Sequence, residues 1–361
     1  MADRDAYALE VGPIHAGIIE SGHFHFQVMG ERILGLEARL GYKRRGLEAA
    51  ACGQPLSAGI AYVQRACAAC AVANTLAYAL AAEQLLGMRV AVRVRHERTV
   101  LAELERLYNH LNDISAICAG VGFAPGVMAY AALKERSQRL NQALSGHRFL
   151  FGSVAIGASP VSRSIDEHRQ TIVTELNALA AEHAVAWREL RFARSLQERL
   201  DGVGTLSRDD AVRLGAVGPV ARAAGVVTDA RTTSPGLVYA GLEPAVAADP
   251  TGDVAARFNQ RALELDQSFA LLRDLLGSLP GPDRTETAPL AGTAAHATVE
   301  SPRGATNCTI VWDGNAIADL RLTTGSHLNW PVLAHTVVGN VVPDFPLINK
   351  SFELCYACSD R

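Results

Sequence analysis

The chain has 361 residues and a formal net charge of -3 at pH 7, and 49% of its residues are hydrophobic while 20% are charged. This composition is typical of a folded protein with a sizeable core, and it excludes a disordered chain. A charge so close to zero gives no electrostatic basis for a nucleic-acid partner. Seven cysteines, an odd number, do not suggest a disulfide framework.

Two stretches of the sequence indicate where in the cell the protein is found. Residues 1–7 are charged and lack the apolar core of a secretory signal, and the most apolar run, 66–82, is too short and too weakly hydrophobic to span a bilayer. We therefore expect a protein of a reducing compartment that has no membrane span of its own. Such a protein can still dock on a membrane-embedded partner.

The first predicted elements are two strands. Residues 23–29 alternate between polar and apolar types, Gly30 and Glu31 supply a turn, and residues 32–40 continue the pattern. The basic segment 41–48 is predicted to be a loop or the start of a helix.

From about residue 66 to residue 200 the apolar residues recur at helical spacing. Glycine-containing breaks divide this region into roughly four long helices, which predicts a bundle. A further helix is predicted over 254–279, after a glycine-rich connection at 215–225.

After Pro289 the composition favours strands, at 297–300, 307–312 and 318–323, the last two pairing across residues 313–315. The predicted fold is therefore mainly α, of the α+β class, with a long-helix bundle and small β elements at both ends. We expect a single domain over 1–361, made of a β region at 1–45, a helical core at 66–280, and a β region with a terminal motif at 290–361.

Two Cys-x-x-Cys pairs bracket most of the chain, Cys67 with Cys70 and Cys355 with Cys358. The spacing places both sulfurs of a pair on one face of a helical turn, and thiolates are soft ligands for zinc, nickel, copper(I) or iron–sulfur clusters. Two pairs give a set of four sulfurs. A structural zinc site is one interpretation, but zinc ribbons place their pairs only about 15–20 residues apart. Pairs that span the domain fit a buried catalytic centre better.

Other residues allow two interpretations each. Arg303, fixed beside Pro302 just before a predicted strand, is either aimed at a pocket or a surface residue in a turn. Glu20 and His23 form either a proton relay or a polar turn. The remaining cysteines are interpreted as small buried hydrophobes; they are Cys52, Cys118 and Cys308.

Taken in order, short motifs along the whole chain resemble the large subunit of a nickel–iron hydrogenase, of the energy-converting, complex-I-related branch that includes formate hydrogenlyase. The motifs are Gly12-Pro-Ile-His15, Glu20-x-Gly-His-Phe24, Tyr42-Lys-x-Arg-Gly-x-Glu48, Arg65-x-Cys-x-x-Cys70, Gly218-Pro-Val-Ala-Arg-Ala-x-Gly225, Glu300-x-Pro-Arg-Gly304, Asn329-Trp-Pro331 and Cys355-x-x-Cys358-x-x-Arg361. The related quinone-site subunit of complex I has generally lost the four cysteines, so their presence favours a hydrogenase.

The resemblance implies a hydrogenase large-subunit fold and a nickel–iron centre. Cys67 and Cys355 would bind nickel alone, while Cys70 and Cys358 would bridge nickel to an iron carrying carbon monoxide and cyanide. The implied reaction is the reversible heterolytic cleavage of dihydrogen, which needs a metal that polarises the bond and a base within reach.

The resemblance also assigns roles to charged residues. Arg303 would lie over the open metal position, and Glu20 would pass protons from the nickel-side thiolate. Glu48 matches a carboxylate that binds a second, structural cation such as magnesium or iron; the alternative is a surface glutamate. The implied partners are an iron–sulfur small subunit and membrane-embedded complex-I-like subunits, with the chain peripheral on the cytoplasmic face of the inner membrane.

The sequence departs from the family pattern beside the cysteines. Asn74 replaces a histidine that hydrogen-bonds a bridging sulfur; its amide can donate but cannot shuttle a proton. Glu353 and Leu354 replace Asp-Pro, and we expect Glu353 to pair with Arg303 and to act with it in catalysis. We expect these changes to affect the rate of catalysis more than the binding of the metal.

Two alternatives therefore stay open. One is a catalytically silent subunit with a structural or vestigial metal site, and the other is a quinone-linked subunit like that of complex I. Relatives are clipped after metal insertion, so we expect the sequence to be either a mature form or one encoded without an extension.

Overall fold

The computed structural model describes residues 6–15, 18–233, 236–239, 241–246, 250–289 and 292–361. The charged start of the chain at residues 1–5, and residues 290–291, where the C-terminal β region was predicted to begin, lie outside the described residues. Within these ranges no helix is both long enough and apolar enough to cross a bilayer.

The chain opens with a three-stranded antiparallel sheet of order β1-β2-β3. Its strands are β1 (Ala6–Val11), β2 (His23–Met29) and β3 (Arg32–Arg39). Alternation sets the faces, because Phe24, Phe26 and Val28 of β2 are buried while the intervening residues point outward. The two predicted strands are confirmed, and β1 is an addition.

The helices form the largest part of the fold, and the predicted mainly α, α+β class is confirmed. Between residues 66 and 200 four long helices occur as predicted, and α10 confirms the helix predicted from residue 254. The helices are α1 (Leu47–Ala51), α2 (Leu56–Gln64), α3 (Ala71–Leu85), α4 (Val92–Gly120), α5 (Ala124–Ser145), α6 (Ser162–Phe192), α7 (Arg194–Leu200), α8 (Arg208–Arg213), α9 (Gly218–Ala223), α10 (Val254–Gly277), α11 (Gly325–Thr336) and α12 (Phe345–Phe352).

Helices α3 and α4 form the centre of the molecule. Every residue of α3 except Gln84 is buried, which its alanines permit because small side chains let neighbouring elements approach closely. Helix α4 packs against α3, α5, α10 and α12 and buries charged residues as well as apolar ones. These two helices therefore position most of what surrounds the cysteines.

A second antiparallel sheet of order β6-β7-β8 packs on α3. Its strands are β6 (Ala294–Ser301), β7 (Gly304–Trp312) and β8 (Ile317–Thr323), and a short pair joins β4 (Met88–Arg89) to β5 (Glu286–Thr287). The three predicted C-terminal strands are confirmed, as is the pairing of β7 with β8.

The predicted glycine-rich connection at 215–225 contains a helix, α9, whose residues are all buried. Its first residue, Gly218, has φ +67, and a Cβ there would lie 2.6 Å from Cα of Gly304. A Cβ on Gly325 would likewise lie 2.5 Å from the carbonyl oxygen of Arg303. Glycines therefore let α9 and α11 pack directly on the backbone of the turn that carries Arg303.

Candidate metal centre

The first cysteine pair lies in a turn just before α3. We predicted a helical turn here, but the helix begins at Ala71, with Cys70 as its N-terminal cap residue. The carboxylate of Glu105, on α4, accepts hydrogen bonds from the backbone N–H groups of Val72 and Ala73 at 2.6 and 3.0 Å. Because Glu105 satisfies these N–H groups, the residues before α3 are free to adopt the turn that presents the thiols.

The second pair follows α12. That helix ends at Phe352, and Glu353 turns the chain with φ +51. The backbone N–H of Cys355 then donates to Ser326 Oγ at 3.0 Å, which attaches the turn to α11. Both pairs are therefore held by neighbouring helices.

The fold brings the two pairs together, as the sequence predicted. The Sγ atoms of Cys67 and Cys355 lie 3.1 Å apart although the residues are 288 positions apart in sequence. Cys358 Sγ lies within 4.8 Å of both, and Cys70 packs against Cys67 and Cys358. Three of the thiols are buried and Cys355 is half-buried.

The protonation chemistry of this set suits a bound cation. Hydrogen bonds from Cys358 and Cys67 lower the pKa of Cys70 to about 6, whereas hydrogen bonds to Cys355 and Cys67 raise the pKa of Cys358. Cys70 thus loses its proton readily, whereas Cys355 and Cys358, whose pKa values are raised, resist losing theirs. A metal cation supplies the positive charge that keeps all four sulfurs ionised. Four converging soft donors therefore fit the nickel–iron centre that the resemblance implies, and they equally fit other thiophilic metals.

Arg303 is buried beside the thiols, in the turn between β6 and β7, next to the buried Pro302. The carboxylate of Asp113, on α4, accepts two hydrogen bonds from its guanidinium at 2.6 and 2.9 Å. The prediction that Glu353 pairs with Arg303 is therefore wrong, because the Nη1 and Nη2 groups of Arg303 both donate to Asp113 instead. Burial opposes ionisation of Asp113, but Arg303, His110 and Arg261 outweigh it and hold the pKa well below its usual range.

Glu353 lies near this pair without bonding to it. Asn112 donates to its Oε1 at 3.1 Å, and Oε2 has no hydrogen-bond partner among the described residues. Burial, and then the negative charge of Asp113, raise the pKa of Glu353 to about 7. Its carboxyl group can therefore gain or lose a proton near neutral pH.

A pocket opens onto the half-buried Cys355. Glu20 lines it with its side chain 30% exposed, and Lys43 Nζ lies 3.4 Å from the Glu20 carboxylate. Thus the predicted residues Glu20, Arg303, Glu353 and Cys355 share one pocket. Its lining is completed by aromatic, amide and aliphatic side chains and a lysine: Ile19, Ala69, Tyr108, Asn109, Asn112, Lys134, Gln138, Phe149, Leu354 and Tyr356.

Glu48, by contrast, belongs to no group of three or more potential metal ligands within the described part of the chain. Its Oε1 accepts a hydrogen bond from the Leu322 N–H at 2.8 Å and lies 3.7 Å from Nη1 of Arg361. The guanidinium of Arg361 already supplies positive charge beside this carboxylate. The second cation predicted at Glu48 is not supported by this geometry.

Asn74, on α3, also departs from expectation. It is fully buried, and neither its amide nitrogen nor its oxygen has a hydrogen-bond partner among the described residues. The Asn74 amide, which could donate to a sulfur, therefore makes no such hydrogen bond to the described residues.

The remaining cysteines are partly as predicted. Cys118 and Cys308 are fully buried, and burial raises the pKa of each to about 12. Cys52 differs, because it is only half-buried and its thiol donates to the Glu48 carbonyl at 3.4 Å.

Sequence reasoning missed the support that α4 gives to the thiol turn. Beside Glu105, the Tyr108 hydroxyl donates to the carbonyls of Ala68 and Ala69, and Asn109 donates to Ala69 at 2.7 Å. Glu105, Tyr108, Asn109 and Asp113 are separated by three, one and four positions. This spacing places them on one face of helix α4. This row of polar residues on one face of a predicted long helix was the available signal in the sequence.

Arg45 was missed as well. Its guanidinium donates to the carbonyls of Arg65 and Ala66 beside the first pair and of Ala357 inside the second. It thereby links the two thiol turns directly.

The chain matches, over residues 120–291, the family described as "Respiratory-chain NADH dehydrogenase, 49 Kd subunit". It is 31% identical to hydrogenase-4 component G of Escherichia coli K12, over 99% of this chain and 62% of the relative. It thus spans less than two thirds of that relative. It is 29% identical to the carbon monoxide-induced hydrogenase of Rhodospirillum rubrum, over 98% of this chain and 99% of the relative.

Among solved structures, one chain of the membrane-bound sulfane sulfur reductase, an archaeal respiratory membrane complex, superimposes with a TM-score of 0.88. The two chains are 25% identical, and the match covers 100% of each. The likeness therefore extends over the full length of both chains.

Proposed function

We propose that the chain is the catalytic large subunit of a complex-I-related nickel–iron hydrogenase, because it matches the 49 Kd subunit family over residues 120–291 and is similar to hydrogenase-4 component G over 99% of its length. The observation that carries this proposal is the convergence of Cys67, Cys70, Cys355 and Cys358 on one buried site. All four sulfurs would hold nickel, and Cys70 and Cys358 would also hold an iron bearing carbon monoxide and cyanide. When bound, this centre supplies the redox chemistry that splits or forms dihydrogen.

Residues of the chain itself form the charged surroundings of this centre. Asp113 fixes the Arg303 guanidinium by two hydrogen bonds, so that a positive charge and its donors are held rigidly beside the thiols. Such a fixed cation stabilises negative charge at the site without reorganising during the reaction.

Protons need a path between Cys355 and solvent. Glu353, with a pKa raised to about 7, and the partly exposed Glu20 line the same pocket as Cys355. A carboxyl group that titrates near neutral pH both accepts and donates protons efficiently. We assign Glu353 and Glu20 to this path, with Glu20 at the solvent end beside Lys43.

The partners follow from the relatives. Since the structural relative is a respiratory membrane complex, we propose that the chain docks on complex-I-like membrane subunits and passes electrons to an iron–sulfur small subunit. We place it on the cytoplasmic face of the membrane.

Metal and infrared analysis of protein matured in its own host tests the proposal. We expect about one nickel per chain and infrared bands from iron-bound carbon monoxide and cyanide. Cys67→Ser should abolish both, because it removes one of four ligands. Cys118→Ser is the matched control, since that thiol is buried away from the site and should leave both signals intact. Nickel-free protein without these bands would overturn the proposal.

A second function, a silent or quinone-linked subunit, is favoured by one observation. The Asn74 amide makes no hydrogen bond among the described residues, so a bridging sulfur lacks its expected donor. Hydrogen–deuterium exchange separates the two functions: exchange by the native complex supports the hydrogenase. Bound metal without exchange activity supports the silent subunit. Quinone-linked activity that survives in the Cys67→Ser, Cys358→Ser double variant supports the quinone-linked subunit.

A further inference from the structure

A second group of potential metal ligands lies on the outward face of the N-terminal sheet. His23 and His25 are two residues apart on β2, so both point away from the core that Phe24 enters. Glu10, on β1, stands directly opposite His25 in the antiparallel register. We call Glu10, His23 and His25 the outer histidine cluster.

The ligand atoms of this cluster already converge. Glu10 Oε1 lies 3.3 Å from His25 Nδ1, and Glu10 Oε2 lies 3.7 Å from His23 Nε2. All three residues present a ligand atom within 4.8 Å of the others. Neighbouring ligands around an ion with bonds of about 2.1 Å stand about 3 to 3.5 Å apart, so small side-chain adjustments suffice to enclose one.

The neighbouring strand supports the same arrangement. Glu37, on β3, stands opposite His25 on its other side, and Arg39 donates two hydrogen bonds to Glu37 at 2.8 and 3.1 Å. The hydrogen bonds of Arg39 thus go to Glu37, and both oxygens of Glu10 face the histidines. His25 Nε2 is buried with no hydrogen-bond partner among the described residues, which leaves Nδ1 to face Glu10.

The two imidazole rings lie close together. Their centroids are 4.0 Å apart, and each histidine side chain is only about one fifth exposed. One divalent cation between them satisfies both rings and the carboxylate at once.

We propose that the outer histidine cluster binds one divalent metal ion of the zinc type. Two imidazoles and one carboxylate are a donor set that zinc accepts, with water in the remaining position. Its ligands are separate from the thiol centre.

The position of the cluster gives the ion a structural consequence. Glu10 and His23 flank the connection between β1 and β2, which carries Glu20 to the pocket. The two ends of this connection are already held together, because the Gly22 N–H donates to the Pro13 carbonyl at 3.1 Å. An ion bound by both Glu10 and His23 adds a second link between these ends, on the outward face of the sheet.

Titration of the full chain with Co²⁺ tests the site, because the spectrum of cobalt reports its ligands. Cobalt at the thiol centre gives an intense sulfur-to-metal charge-transfer band, whereas cobalt held by nitrogen and oxygen shows only weak d–d bands. We expect one equivalent of the second kind. His25→Gln and Glu10→Gln should each raise its Kd about tenfold or more while the charge-transfer band stays unchanged.

His335→Gln is the matched control, because this partly exposed histidine on α11 also faces a carboxylate, that of Asp210 at 3.4 Å. It should leave the Kd unchanged, and Zn²⁺ should displace the cobalt. Cobalt bound only at the thiols, or a nitrogen–oxygen site whose Kd is the same in His25→Gln as in the native chain, would overturn the proposal. A retained charge-transfer band shows that each variant is folded.

Discussion

At the scale of single residues, Asp113 organises the charges beside the thiols. It accepts hydrogen bonds from Arg303 and also from Nε of Arg261 at 3.0 Å, and all three side chains are buried. Such an arrangement is costly to break, because removing the shared anion leaves two buried cations without their partner.

We predict that Asp113→Asn lowers the free energy of unfolding by about 3–5 kcal/mol. Urea denaturation of the purified chain measures this change. Asp319→Asn is the control, because its pair with Arg321 is exposed and its loss should stay within about 0.5 kcal/mol. Equal effects of the two substitutions would show that Asp113 carries no buried charge pair.

Glu353 predicts a dependence of stability on pH. Its pKa rises from 4.5 to about 7 on folding, so between these values the folded chain holds a proton that the unfolded chain releases. The native chain should therefore lose stability relative to Glu353→Gln as pH rises from about 4.5 to 7, by up to about 3 kcal/mol. Unfolding curves of both chains across this range measure the difference. Parallel pH profiles would mean that the pKa is not raised.

The cysteines and Arg303 could be predicted because their chemistry is visible in residue type and spacing. The partner of Arg303 could not, since an aspartate within a helix has the same appearance in sequence whether it faces solvent or a buried guanidinium. Only the packing of α4 against the turn at Arg303 makes that distinction. Glu105 was missed for the same reason.

At the scale of elements, the strands with alternating residues and the long helices were predictable, whereas short or interrupted elements were not. Helix α11 contains Pro331, a residue that normally marks the end of a helix. Helix α9 lies between glycines that indicate a loop when only the sequence is considered. Its packing on the turn at Arg303 overrides that local signal.

The glycine contacts around that turn predict a difference between two similar substitutions. Gly218 and Gly215 both have positive φ, but a Cβ on Gly218 meets the backbone of Gly304 while a Cβ on Gly215 meets nothing within 4 Å. Gly215→Ala should cost about 1 kcal/mol from its backbone conformation alone. Gly218→Ala should cost at least about 2 kcal/mol more, because overpacking adds to the same strain. Urea denaturation of both variants measures this, and equal losses would contradict the close packing.

At the scale of the whole molecule, residues far apart in sequence share one core. Among the described residues, one large cluster of buried apolar side chains contains residues from Phe24 near the start to Tyr356 near the end of the chain. We propose on this basis that residues 1–361 make up one domain, with the thiol site where its first and last parts meet.

The closeness of the two thiol turns predicts a specific disulfide cross-link. Mild oxidation of the metal-free chain should join Cys67 to Cys355, whose sulfurs are 3.1 Å apart, and leave Cys118 and Cys308 reduced because they are fully buried. Mass spectrometry of a non-reduced digest identifies the linked peptides. Bound metal should prevent the reaction by occupying the sulfurs. Linkage through Cys118 or Cys308 instead would contradict the geometry.

Because Cys67 and Cys355 are 288 positions apart in a chain of 361 residues, bringing them together at the thiol site closes a very long loop. Joining points so distant costs conformational entropy, which a ligand that binds only the closed chain offsets by mass action. Metal binding is thus thermodynamically linked to folding, and we expect loss of the metal to weaken the contact between the two thiol turns first.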